Sequence, residues 1–360
     1  PSKQDNVQRG LVRDGKPLDF QNSVRAIVSR IDLTSLAEDH ERRGDLDNSG
    51  VGSAAVFDPT GSYLFVALET SRHVAVVNSW SGQEIFRFDV GRAPEGLAIS
   101  PDGKTLFVNN FMDRTVGIHD LGAMVTNGLY DVKALATVAA VGTEKLAADV
   151  LRGKQFFYDA RDPRLARDAY LSCASCHNDG DTDGRTWDFT GFGEGLRNTI
   201  PLRGRAGMGH GALHWSANFD ELQDFEGQIR DFAQGTGLMT DAQFNAGTRR
   251  LPLGDRKTGV SADLDALAAY MTSLSTFDAS PYRNASGSLT SDAAAGRTLF
   301  AQKGCTTCHA GARLTDSGSG VVRDIGTIKA TSGTRLGSTL TGIDTPTLLD
   351  AWASAPYLHD

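Results

Sequence analysis

Two repeats predict a multidomain chain, a partial β-propeller of all-β blades followed by two mainly α-helical domains. The first repeat is a strand–turn–strand segment that returns after 42 residues within the first third of the chain. The second is the pentapeptide C-x-x-C-H, at Cys173–His177 and again at Cys305–His309. A third observation divides the two parts: near Glu144 the hydrophobic period changes from strand-like to helical.

The bounds are ordinary for a multidomain protein. A length of 360 residues gives room for two or three cores. No apolar run approaches the ~18 residues that span a bilayer. A net charge of −8 argues against a nucleic-acid partner and an anionic membrane surface, and suits a basic redox partner. All four cysteines lie in the two pentapeptides, so none is left over for a disulfide.

Residues 1–142 are assigned to the propeller part. Residues 1–19 read as a polar lead-in, Ser23–Leu33 as a strand, and 35–50 as a charged, Gly/Asp-rich loop. The repeat then begins. Val56-Phe57-Asp58-Pro59-Thr60-Gly61 and Tyr63–Val66 return as Ile99-Ser100-Pro101-Asp102-Gly103 and Thr105–Val108. Pro59 and Pro101, Phe65 and Phe107, Arg72 and Arg114, and Val74 and Val116 each share the same 42-residue spacing. That is the length of one four-stranded propeller blade. The turn chemistry agrees: Pro sets φ and Gly takes the position that needs a positive φ. Two blades and an incomplete third fall short of the roughly four to eight of a closed propeller. The remaining blades, or a completing chain, are therefore expected as partners.

Residues 143–276 form the first of the two later domains. Leu146, Val150, Leu151 and Phe157 have helical spacing, and Ser261–Leu274 reads as a partner helix with Ser261 as its N-cap. Asn218 and Glu221 suggest a capping box before a stripe of Leu222, Phe225, Ile229 and Phe232. Residues 277–291 are a Ser/Pro/Asn/Gly-rich linker. Residues 292–360 are the second domain, which reads as C-terminally truncated.

The C-x-x-C-H spacing is the attachment signature of a c-type haem. Cys173 and Cys176, and likewise Cys305 and Cys308, would add to the vinyl groups of one porphyrin each. His177 and His309 would hold the irons as proximal ligands. The expected cofactors are thus two covalently bound c-type haems, and both later domains are expected to be of the cytochrome c type. Covalent haem is attached outside the bacterial cytoplasm, which implies a periplasmic or extracellular location.

The repeats resemble the YVTN-type β-propeller repeats of bacterial surface and periplasmic proteins. A second resemblance rests on Arg197-Asn198-Thr199-Ile200-Pro201-Leu202, on Trp215, and on the ending Thr345-Pro346-Thr347-Leu348 and Ala355-Pro356-Tyr357-Leu358-His359-Asp360. With the two haem motifs, residues 145–360 resemble the bacterial di-haem cytochrome c peroxidase superfamily, which includes the MauG-type enzymes. The resemblance implies a haem peroxidase-like oxidoreductase, with one haem for peroxide or O2 activation and one for electron transfer. It places Trp215 between the haems and makes Asn198 a ligand of one calcium ion. Its expected partner is a small cytochrome or cupredoxin.

Three departures accompany it. Residues 178–207 contain no histidine to cap the first haem, so that iron is either open or met by Met208, His210 or His214. Gly235 stands where the acid–base glutamate is expected, leaving Glu226 or Asp231. The second haem's distal ligand would lie past Asp360, with Tyr357 and His359 as late alternatives. The candidate catalytic residues are Trp215, Glu226 and His214. The competing readings are a non-catalytic electron-transfer cytochrome with a propeller docking domain, and a binding scaffold. Gly191–Gly195 reads as a loop beside a haem, and Asp179, Asp181 and Asp183 as a solvated loop. Arg203 and Arg205 read as propionate partners, and His40, His73 and His119 as surface residues.

Overall fold

A computed structural model describes residues 1–5, 24–46 and 48–359. Most of the expected polar lead-in, the first residue of the expected strand Ser23–Leu33, and the closing Asp360 lie outside the described residues. The chain divides into two compact units. One comprises Pro1–Ser175 and Ile229–Gly237, the other Cys176–Gln228 and Leu238–Asp360.

The first unit is built from the repeat. Gly52–Phe57, Tyr63–Leu68, His73–Asn78 and Glu84–Asp89 form one four-stranded antiparallel sheet in chain order. Pro94–Ile99, Thr105–Asn110, Thr115–Asp120 and Lys133–Ala139 form a second with the same order. Both have a bulge at the start of their first strand pair. The turns match bond for bond. Gly61 N–H donates to Asp58 O at 2.9 Å and Gly103 N–H to Ser100 O at 2.8 Å. Tyr63 N–H donates to the Asp58 carboxylate at 2.7 Å and Thr105 N–H to the Ser100 hydroxyl at 2.9 Å. Gly61 and Gly103 sit at φ of +71° and +73°, the conformation that a residue without Cβ adopts cheaply. A third sheet has three strands, with Val24–Val28 between Ser2–Asp5 and Gly44–Leu46.

Side-chain alternation explains how the sheets stack. From the central strands of the first blade, Leu64, Val66, Leu68, Ala75 and Val77 pack with Ala26 and Leu46 of the three-stranded sheet. The intervening Phe65, Val74 and Val76 pack with Leu106, Val108, Leu121 and Met124 around the second blade. The stretches 64–68 and 74–77 are apolar throughout because both their faces are covered. Each buried Val, Leu, Phe or Met among these side chains contributes about 1.5–3 kcal/mol of burial. On the second blade Phe107 is partly exposed, and Lys133–Ala139 is exposed at every residue.

Residues 143–360 correct the expected fold class. They do not form two mainly α-helical cytochrome c-type domains. Among the described residues they hold the helices Ala148–Phe157, Phe225–Asp231, Asp241–Phe244, Ala262–Ser273 and Ser291–Gln302. Between these lie loops, single 3-10 turns and two-stranded ribbons such as Thr186–Asp188 with Leu196–Asn198. The physical reason is local. Asp179, Ala206, His214, Leu314 and Asp350 all take positive φ, which ends a right-handed helix. Aspartates also divert backbone donors into short turns: Asp183 accepts from Arg185 N–H and Asp188 from Thr190 N–H.

In the second unit the helix Ala262–Ser273 carries the core. Ser261 caps it, accepting from Leu264 N–H at 3.4 Å. Ala268 and Met271 pack with Leu213, Phe219 and Leu222. The capping box differs from the expected one. Glu221 is the N-cap residue and Asp224 its partner, which leaves Asn218 for another role.

Candidate functional site

Both C-x-x-C-H motifs lie on a 3-10 turn, and no disulfide joins any of their four cysteines among the described residues. The Cys305–Thr307 turn follows Gly304 at φ +77° and is closed by His309 N–H donating to Cys305 O at 3.0 Å. In the Cys173–Ser175 turn, Ser175 N–H donates to Ser172 O at 3.0 Å and Ser172 N–H to the Ser175 hydroxyl at 3.1 Å. Burial pushes the Cys173 thiol up to about 11.

The two histidines share one arrangement. His177 Nδ1 lies 3.3 Å from Asp181 O, and His309 Nδ1 lies 3.1 Å from Leu314 O. A carbonyl only accepts, so in each ring Nδ1 carries the proton and Nε2 keeps the lone pair. That tautomer, fixed by a backbone carbonyl, is what a proximal iron ligand requires. Burial also lowers the pKa of His177, which keeps the ring neutral. Paired thiols with an adjacent, oriented Nε2 fit a covalently attached haem at both motifs.

The second unit brings several of the expected residues together. Trp215 Nε1 donates to Asn198 O at 2.8 Å, and its ring meets His359 edge-on at 6.3 Å. Asn198 N–H donates to His359 O at 2.7 Å, and the Asn198 amide donates to Pro356 O at 2.9 Å. Among the described residues no group of three or more His, Cys, Asp or Glu is placed to hold a metal ion. Glu226 lies elsewhere. Its fully buried carboxylate accepts from Leu238 N–H at 2.9 Å and Met239 N–H at 3.0 Å. Arg205 is buried and its Nε donates to Pro201 O; desolvation lowers its pKa to about 10. Arg203 bonds Asp278 at 2.9 Å. His119, expected at the surface, is buried beside Phe88 in the first unit.

A polar chain around His214 was not expected. His214 Nδ1 lies 2.7 Å from Asn218 Oδ1, Asn218 Nδ2 donates to Glu194 Oε1 at 3.0 Å, and Ser216 Oγ donates to the same oxygen at 2.9 Å. Glu194 Oε2 takes the Arg197 guanidinium at 2.6 Å and 3.1 Å. Arg335 closes the far side through Ser216 O at 2.6 Å and Ala217 O at 2.9 Å. Burial raises the pKa of Glu194, opposed by Arg197. The His214 ring sits against Phe219 at 4.3 Å and Phe225 at 5.3 Å, and burial brings its pKa down to about 4. Glu194 three residues before Arg197 was the one sequence signal for this chain. The glycines around Glu194 masked it.

No protein-family model matches the chain. It is 27% identical over 251 residues to hydrazine synthase subunit gamma of Kuenenia stuttgartiensis, a match over 59% of this chain and 66% of that one. The chain therefore spans slightly less than two thirds of that relative's length. A xenon-pressurised structure of Kuenenia stuttgartiensis hydrazine synthase aligns at 25% identity over 60% of this chain and 76% of that one, with a TM-score of 0.41. The β-propeller domain of Cps50 (Swd1) from Myceliophteria thermophila aligns at 16% identity over 31% and 37%, with a TM-score of 0.27.

These findings correct the expected family and activity. The curated relative is a hydrazine synthase subunit, not a di-haem peroxidase or MauG-type enzyme. The peroxidase-like oxidoreductase that resemblance implied is set aside, and so is the alternative of a plain electron-transfer cytochrome with a propeller docking domain. That relative is, by its name, one subunit of an assembly. No described helix is long and apolar enough to cross a membrane.

Proposed function

We propose that this chain is a propeller-bearing subunit of a multi-chain assembly of the hydrazine synthase kind, acting on small nitrogen compounds and carrying two covalently attached haems. The observation that carries the cofactor is the matched geometry of His177 and His309, each with Nδ1 on a backbone carbonyl beside a pair of cysteines. Cys173, Cys176 and His177 would hold one haem, and Cys305, Cys308 and His309 the other. When bound, such a group supplies an iron that takes up and passes single electrons. The chain's own residues hold it, fix the ligand tautomer and shield His177 from protonation.

The partners in this reading are the other chains of the assembly, with a small cytochrome or cupredoxin as electron carrier. The open face of the second blade, with its wholly exposed strand Lys133–Ala139, is where further blades or a completing chain would stack. Haem attachment through thioethers implies a bacterial periplasmic or extracellular location. One calcium ion near Asn198 belongs to this reading, and metal analysis of the purified chain tests it.

The test is to express the chain with a c-type haem maturation system and with its candidate partners. Intact mass and a pyridine haemochrome assay are expected to give two haems per chain. Native mass spectrometry is expected to give a species larger than one chain, and the assembly is expected to form hydrazine. Four alkylatable thiols would overturn the cofactor, and a stable lone chain with no hydrazine formation would overturn the assembly.

A further inference from the structure

His214 is held as a ligand is held. Asn218 Nδ2 donates to the Glu194 carboxylate, so Asn218 presents its oxygen to His214. The opposite amide orientation would set two acceptors face to face. His214 Nδ1 must then donate to that oxygen, and Nε2 is left with the lone pair. Phe219 and Phe225 fix the ring plane, and Arg197, itself buried, anchors Glu194 at the far end of the chain. The backbone also bends to place this ring. His214 sits at φ +64°, a left-handed conformation that residues with a Cβ rarely adopt. The loop that anchors His177 is bonded to the segment that holds the neighbour of His214: Thr182 Oγ1 donates to Thr199 O at 2.7 Å and Trp215 Nε1 to Asn198 O at 2.8 Å. An imidazole with an oriented Nε2, on a segment bonded to the loop that anchors His177, is the arrangement of a second axial ligand.

We propose that the chain Arg197–Glu194–Asn218 positions His214 so that its Nε2 is the axial ligand opposite His177 on the first haem. This rests on the haem attachment proposed above. Two imidazole nitrogens would give that iron a low-spin, six-coordinate state. Asn218 and Glu194 are positioning residues, which act only through the His214 ring.

The test is the ferric spin state of the full chain, read by electron paramagnetic resonance beside a pyridine haemochrome count. The wild type is expected to contain a low-spin ferric signal assignable to the first haem. His214→Gly suits the site, because glycine takes a positive φ at little cost. It is expected to keep two haems per chain, convert one haem equivalent from low to high spin, and recover the low-spin signal when imidazole is added. Asn218→Leu is expected to give a partial conversion, and Asn218→Asp, which restores an acceptor to Nδ1, to reverse it. Two haems with an unchanged low-spin signal in His214→Gly would overturn the ligand assignment alone. A high-spin first haem in the wild type would do the same. Absence of haem from the wild type would overturn the attachment itself, and the ligand with it.

Discussion

Two duplications run through this chain, and they behave differently. The 42-residue repeat reproduces its structure in detail: equivalent strands, equivalent bulges, equivalent turn bonds, and even equivalent left-handed arginines, Arg72 at φ +55° and Arg114 at φ +57°. The C-x-x-C-H repeat reproduces the turn and the histidine anchor and little else. Cys173 is followed by a stretch that holds a buried ring system and the Arg197–Glu194–Asn218 chain. The second motif follows the helix Ser291–Gln302, in which no residue is buried. The blade repeat is long enough to carry its own neighbours in sequence. The pentapeptide is not, and its surroundings come from distant segments.

The largest effects would test whether the two short motifs share a function despite unlike surroundings. Cys173→Ser with Cys176→Ser, and Cys305→Ser with Cys308→Ser, are each expected to remove one haem of two, read by intact mass. A pair whose substitution leaves the mass of bound haem unchanged would end the equivalence. Next comes the chain found beside the first motif only. Glu194→Ala strips the buried Arg197 of its carboxylate and is expected to cost about 3–5 kcal/mol in urea unfolding. A cost near that of a surface substitution would mean that the chain is not structural.

A smaller effect probes the unlike polar surroundings further along the second unit. Asp344 is buried, accepts from Ser317 Oγ at 2.6 Å, and has its pKa raised from 3.8 to about 6, chiefly by burial. The folded state thus holds a proton that the unfolded state releases. That contribution is complete below about pH 4 and is lost as the pH rises to about 6 and beyond. Asp344→Asn is expected to raise stability above pH 6 by about 3 kcal/mol and to change little at pH 4, measured by unfolding at both pH values. Equal effects at both would contradict the burial of a charged carboxylate.

The smallest effect sharpens the blade comparison. Gly61→Ala and Gly103→Ala are each expected to cost about 1 kcal/mol, because both glycines have positive φ. Gly103→Ala should be the worse, since its new Cβ would lie 3.1 Å from Pro59 Cδ, whereas nothing lies within 4 Å at Gly61. Thermal midpoints of the two variants check the order.

Legibility follows the same division. The blades were readable because a Pro-x-Gly turn between apolar runs states its own geometry. The helices Ala148–Phe157 and Ala262–Ser273 were readable from spacing and, for the second, from its cap. The loops between them were not, since positive φ at Asp179, His214 or Leu314 depends on contacts that no local pattern announces. The same holds for Asn218. Its position suggested a cap, but Glu194, 24 residues earlier, takes its amide.

The sequence alone determined the repeat, the turns, the strand alternation and the two C-x-x-C-H turns, all set by chemistry within a few residues. Tertiary structure alone decided that residues 143–360 are mostly loop, that Glu226 serves two backbone amides, and that His214 is fixed by a buried carboxylate. The physical reason is reach. Backbone conformation answers to neighbours in sequence, whereas the orientation and protonation of a buried side chain answer to whatever the fold brings against it.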